Sequence, residues 1–223
     1  MRDHDIASER AVAFADMDPK EARAIFRRMP RSKRRTLIWS REFWLRPKQL
    51  WQPTRHRYAI AMAGRGFGKT MMGAHAVRYV AENPELCGGR ARRNKRDRTN
   101  GEGGVIGIAG RTANDVNQTM IYGPSGIMAI SPPWFRPTHH KSDRTLSWPN
   151  GVVARLMSAD VPDSFRGPNF GFVWADEMPH WRRLRATWDN VALSTRIGEN
   201  ATAHITPRPT GVPSRLAPVS DSP

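Results

Sequence analysis

Two short clusters in this sequence hold residue types that can do chemistry together. The first is Ala63-Gly64-Arg65-Gly66-Phe67-Gly68-Lys69-Thr70. Glycines at 64, 66 and 68 let backbone N–H groups converge on phosphate oxygens, and a helix starting near Lys69 turns its positive end toward them. Lys69 is placed to meet the β- and γ-phosphates of a nucleoside triphosphate, and the Thr70 hydroxyl to help hold Mg²⁺. The general phosphate-loop pattern has Gly where Ala63 stands. Arg65 adds a guanidinium where charge builds on the γ-phosphate. A plainer reading is a glycine turn that happens to carry Gly-Lys-Thr, and the strand before and helix after it argue against that.

The second cluster is Phe172-Val173-Trp174-Ala175-Asp176-Glu177, four apolar residues running into two carboxylates. Asp176 is expected to bind Mg²⁺ through water, and Glu177 to polarise the attacking water. Alone the pattern also fits an exposed strand end. Paired with an upstream phosphate loop it points to ATP hydrolysis.

Both clusters need strands to carry them. Residues 58–63, YAIAMA, read as a short buried parallel strand entering the loop, and 70–82 as the helix leaving it, stopped by Asn83-Pro84. Residues 105–110 (VIGIAG), 171–176 (GFVWAD) and 201–206 (ATAHIT) read as further strands, and 112–121 as a helix. Asn150-Gly151 lies between alternating runs and predicts a hairpin within 144–159. Trp188, Val191, Ala192 and Thr195 form a helical stripe over 185–197, ended by Gly198. The order predicts an α/β fold with a mainly parallel sheet flanked by helices, and with the phosphate loop and acidic pair a P-loop NTPase of the RecA-like (ASCE) kind is expected.

Near the start, 18–29 predicts a helix with Asp18 as N-cap, Pro19 in the first position and Glu21 in a capping-box-like place. The basic run Arg31–Arg35 follows, either a solvated helix end or a DNA contact. Residues 88–104 hold six Arg/Lys against Asp97 and Glu102, with glycine pairs on either side, and predict a flexible surface loop. Domain organisation follows as a helical N-terminal extension over 1–45, an ATPase domain over 46–210 and a Pro/Ser-rich tail over 211–223.

Composition narrows the partners. The 223 residues carry 36 Lys+Arg against 20 Asp+Glu, a formal net charge of +16. That excess favours a polyanion, nucleic acid or an anionic membrane. No stretch approaches the roughly 18 apolar residues of a membrane span, and the first ten residues lack the apolar core of a signal peptide. A single cysteine, Cys87, excludes an internal disulfide and a Cys-rich zinc site. His139-His140 is expected in an exposed loop, and His75 as a packed residue of the loop-following helix.

Arg46-Pro47-Lys48-Gln49, AGRGFGKT at 63–70, SADVPDSFRGPNF at 158–170, WADE at 174–177 and ITPRP at 205–209 together resemble the phage terminase large subunit family, in that family's order. Ala63 and Arg65, departures from the general loop, are typical of it. The resemblance implies the ATP-hydrolysing motor of a phage or prophage, translocating double-stranded DNA into a procapsid with ATP and Mg²⁺. It implies Gln49 for adenine recognition, Lys69, Thr70 and Arg65 in the phosphate loop, Asp176 and Glu177 as metal carboxylate and base, and Thr206 and Pro207 as the coupling motif. Arg166 matches a segment near the nucleotide. Implied partners are duplex DNA, a small terminase subunit and the procapsid portal, with a homo-oligomeric ring when active, in the host cytoplasm and transiently on the procapsid. The family's RNase H-like nuclease is not expected here. The chain stops 15 residues after Arg208, and Asp189, Glu199 and Asp221 have no sheet to bring them together. The rivals are a truncated prophage remnant that binds without working, and a superfamily 2 helicase-like fragment, which would need a second RecA-like domain.

Overall fold

The computed structural model describes residues 13, 16–50, 56–64, 66–89, 104–198 and 201–207. Its N-terminal part is helical: α1 (Pro19–Arg28), α2 (Arg31–Leu37) and α3 (Arg41–Trp44), followed by a 3₁₀ turn at Pro47–Gln49. The Asp18 carboxylate accepts the N–H groups of Lys20 at 2.8 Å and Glu21 at 3.3 Å, as its place before a helix predicts. The basic run forms α2, and two of the arginines in this region dock on aromatic faces. Arg35 lies 4.6 Å over the Trp134 ring and Arg41 3.8 Å over that of Tyr79.

The described strands build one seven-stranded sheet in the order β1-β7-β6-β2-β5-β4-β3. They are β1 (Tyr58–Ile60), β2 (Val105–Gly110), β3 (Thr138–His140), β4 (Thr145–Ser147), β5 (Val153–Ser158), β6 (Phe172–Asp176) and β7 (Thr202–Thr206). Strands β1, β7, β6, β2 and β5 run parallel, while β4 and β3 are antiparallel. The central strands β2 and β6 are near-continuous apolar runs because both of their faces are covered. On one face Ile106, Ile108, Phe172 and Trp174 pack with Val77 and Val80 of helix α4 (Lys69–Glu82). On the other, Ala109, Val173, Ala175, Ala203 and Ile205 pack with Val191 of helix α7 (Leu184–Ser194).

Several expectations need correction. Strand β1 is three residues long and outermost among the described strands, with Tyr58 and Ile60 exposed. An unbroken apolar run reads as covered on both faces, but periodicity carries no information about position within a sheet. Residues 112–121 divide into one α-helical turn, α5 (Ala113–Asp115), capped by the Thr112 hydroxyl, and a π-helical segment at Val116–Ile121. A short helix α6 (Ile127–Ile130) follows. His139 and His140 lie on β3 rather than in a loop, bonded to Tyr122 and Ser147 at 2.8 Å each. Helix α7 stops at Ser194, before Gly198, because Thr195 already pairs with Phe170. The Asn150-Gly151 turn is as expected, with Gly151 at φ 91° joining β4 to β5. The basic stretch falls at 90–103, outside the described residues.

Cys87 is fully buried and its Sγ sits 3.4 Å from the Pro84 carbonyl. Burial pushes the thiol pKa up to about 12, with Glu85 adding to the effect. Thiolate is the reactive form, so the native protein should give no thiol signal with Ellman's reagent near pH 8 and one equivalent after unfolding. Reaction of the folded protein at the denatured rate would show that this pocket is open.

Acid should loosen the fold. Burial lowers the His204 pKa to about 3 and, with help from Arg78 and Arg41, that of His75 to about 4, from 6.5. Both imidazoles bind protons more readily unfolded, so their contribution is intact above pH 6.5 and declines as pH falls toward 4 and 3. Asp176 opposes this, because burial raises its pKa from 3.8 to about 6 and the folded state binds that proton first. Two histidines against one carboxylate give a melting temperature level above pH 6.5 and falling below it. A level profile down to pH 4.5 would contradict the buried, neutral histidines.

Candidate nucleotide site

The loop between β1 and α4 delivers Lys69 to the carboxyl end of the sheet. Gly66 and Gly68 take φ of 81° and 84°, left-handed values that side chains resist. Gly68 caps α4 and its carbonyl accepts the Met72 N–H at 2.9 Å. Thr70 falls in the first turn. The Lys69 ammonium donates to the carbonyls of Ala63 at 2.6 Å and Gly64 at 2.9 Å, folding across the loop. Arg65 lies outside the described residues.

Gln49, only 3% exposed, clasps this loop from the N-terminal side. Its Nε2 donates to the Phe67 carbonyl at 2.5 Å, and its Oε1 accepts the Arg46 backbone N–H at 2.8 Å and Nε at 3.4 Å. Arg46 adds a bond of 2.9 Å from Nη2 to the same Phe67 carbonyl.

Asp176 closes β6, two strands from β1, and is 6% exposed. The Thr206 hydroxyl, at the end of β7 between them, donates to Asp176 Oδ1 and accepts the Trp174 indole N–H at 3.1 Å. The Trp181 indole N–H bonds the Asp176 carbonyl at 3.0 Å. Burial raises the Asp176 pKa and Glu177 adds to the rise, while Thr206 and the Lys69 charge work against it. Lys69 and Asp176 therefore share one electrostatic environment.

Glu177 adopts φ 50°, one of two non-glycine residues with positive φ among those described. The Thr206 carbonyl holds it there by accepting its N–H at 3.0 Å. Such a conformation costs on the order of 1–3 kcal/mol and clusters at functional sites. Its charge is felt by Arg111, whose guanidinium is stabilised first by the Asp115 hydrogen bond and further by Glu177 and Asp160. Pro207 directly follows Thr206. Arg166 stands apart on an exposed turn, paired with Asp163 at 3.2 Å.

Trp174 was legible in sequence only as an apolar strand residue. Its ring presses against Gly73 of α4, so closely that a Cβ there would overlap the indole. The carboxylate strand and the loop helix are thereby joined through one side chain.

A glycine loop between an outer strand and a helix, a carboxylate pair two strands away and a parallel sheet beneath them define a P-loop NTPase fold. The family model of the terminase large subunit, T4likevirus-type, N-terminal, matches residues 60–210. The chain belongs to that family. Its fold is similar to the large terminase of a thermophilic bacteriophage, solved in complex with ADP, with TM-score 0.53 and 14% identity over 79% of this chain. The match spans 38% of that protein's length. The large terminase ATPase domain of Thermus phage P74-26 gives TM-score 0.49 and 16% identity, over 78% of this chain and 71% of that one. The chain matches no curated protein sequence. No helix among the described residues is long and apolar enough to cross a membrane.

Proposed function

We propose that this chain is the ATP-hydrolysing part of a large terminase subunit, a motor that drives double-stranded DNA into a procapsid. The observation that supports it most is the convergence of Lys69, the Thr206-bound Asp176 and the conformationally strained Glu177 at the carboxyl end of the sheet. Gly64, Gly66, Gly68 and Lys69 bind the phosphates, with Arg65 beside the γ-phosphate and Gln49 toward the adenine. A buried carboxylate and a helix-start hydroxyl suit a hard cation that keeps most of its waters, so Asp176 and Thr70 would hold Mg²⁺. When bound, Mg²⁺ offsets negative charge on the β- and γ-phosphates. Glu177 orients a water and takes its proton as the water attacks. Thr206 bonds the Asp176 side chain and the Glu177 backbone together, so it and Pro207 pass a change at the nucleotide on to β7. Arg166 is assigned a phosphate or inter-subunit contact.

The domain division carries over: helical extension over 1–45, ATPase domain over 46–210 and tail over 211–223. The family and the +16 charge support duplex DNA as the polyanion. The small terminase subunit, the procapsid portal and a homo-oligomeric ring complete the working assembly, in the host cytoplasm. The test is ATP hydrolysis by the purified chain with Mg²⁺, with and without linear duplex DNA. Turnover that rises with DNA supports the motor. Turnover never above that of Lys69→Ala, with DNA or without it, would overturn the assignment.

A further inference from the structure

A second polar cavity, of about 380 Å³, lies between the π-helical segment and the turn joining β3 to β4. It is lined by the apolar Leu156 and Met157 of β5 and by the polar Lys141, Arg144, His139, Tyr122, Asn117 and Gln118, with the Asn117 Oδ1 buried and its hydrogen bond unmade. β5 is four strand spacings from β1, about 19 Å at the usual strand separation, so this cavity and the phosphate loop cannot grip one phosphate. Among the described residues, no carboxylate lines it. Asp143, in the same turn, is exposed and not among its lining residues, and Asp115 of α5, between the lining residues Ala113 and Val116, is bonded to Arg111 at 3.0 Å.

Three features mark the cavity as built. Arg144 is the other described non-glycine residue with positive φ, at 50°, and its carbonyl is pinned by the Leu156 N–H at 2.8 Å. The backbone thus accepts a strained conformation at a cationic residue that lines the cavity. Tyr122 and His139 hold each other through a 2.8 Å bond between the phenol and Nδ1. With the phenol donating, the imidazole proton sits on Nε2 as a further donor. The wall itself is π-helical, a rare form that recurs at functional sites. The electrostatics agree: burial lowers the His139 pKa, and the charges of Lys141 and His140 lower it further. Two cations with hydrogen-bond donors beside them, and no carboxylate among the described lining residues, suit a phosphate and disfavour a cationic ligand.

We propose that this cavity is a phosphate-binding site independent of the phosphate loop, held by Lys141 and Arg144, and that its phosphate comes from the backbone of duplex DNA. The alternative source of the same chemistry is a free nucleotide. The proposal does not need the nucleotide assignment to hold, since DNA affinity in the absence of ATP reads it directly.

The test uses the full chain carrying Lys141→Gln and Arg144→Gly. Glycine relieves the positive φ while removing the charge, so the variant should melt at or above the parent temperature. Fluorescence anisotropy with a duplex of about 30 base pairs is recorded over a KCl series. Two lost phosphate contacts should flatten the slope of log K against log[KCl] by about two units, with DNA-free ATP turnover unchanged. A second arm measures AMP binding in a Lys69→Ala background. An unchanged DNA slope together with lost AMP binding would overturn the DNA source while upholding the phosphate site. No change in either arm overturns the proposal. If the chain hydrolyses no ATP and the slope still flattens, the motor assignment fails and this site stands.

Discussion

Glu177→Gln is expected to bind ATP as the parent does and to turn it over about 10²–10⁴-fold more slowly, the usual range for losing a general base. The carboxamide keeps the shape of the side chain and cannot take a proton. Nothing that binds phosphate is touched, because Lys69 and the loop glycines lie across the sheet between β1 and α4, and Asp176 keeps its bond from Thr206. The backbone is also preserved: the αL conformation of residue 177 is held by its own N–H to Thr206, which glutamine retains. A fall in turnover with unchanged ATP affinity places the loss in the transition state rather than in binding. Turnover at the parent rate would remove Glu177 from the role of base and direct attention to Asp160, another carboxylate that acts on Arg111.

Gly73→Ala gives the largest expected effect on stability, and two opposed forces fix its sign. In a helix interior alanine is favoured over glycine by about 1 kcal/mol. Here a Cβ would come within 2.5 Å of Trp174 Cζ2 and closer still to the indole nitrogen side of the ring. The ring has little room to yield. Trp174 is fully buried in the middle of β6, and its N–H is committed to Thr206 at 3.1 Å. Overpacking costs typically about 1–3 kcal/mol, and with the indole fixed on both sides the upper figure applies. The net is a loss of about 2 kcal/mol, or roughly 4–8 °C in melting temperature for a domain of this size. Nucleotide affinity should fall as well, since α4 must lift away from β6 and carries Lys69 with it. A melting temperature raised by Gly73→Ala would mean that helix propensity outweighs the contact and that α4 packs less closely than described.

The sequence made the chemistry more legible than the geometry. The phosphate loop is local: glycine spacing, Lys69 and Thr70 lie within one turn, and strand and helix follow from apolar runs on either side. The same holds for Asp18, whose capping role depends on residues two and three places on. What sequence could not show is what the sheet brings together. Thr206 and Asp176 are thirty residues apart, and their bond exists because β7 and β6 pair in register. Gly73 reads as a tolerated glycine in a helix until the Trp174 ring lies against it. The exposure of β1 was hidden for a related reason, since an edge strand and a central one can share the same apolar residues. Residues 116–121 were legible as helical, but the π form rests on backbone geometry that no apolar period encodes. Arg144 had no signal at all, being an ordinary arginine in a turn until its φ is seen.

Equilibrium binding of ATP with Mg²⁺, measured by calorimetry on the parent chain and on Lys69→Ala, tests the central claim most directly. One Mg²⁺-dependent site per chain is expected in the parent, and its loss once the Lys69 charge is removed. Equal, Mg²⁺-independent binding by both proteins would show that the loop at Gly64–Thr70 is not where the nucleotide goes.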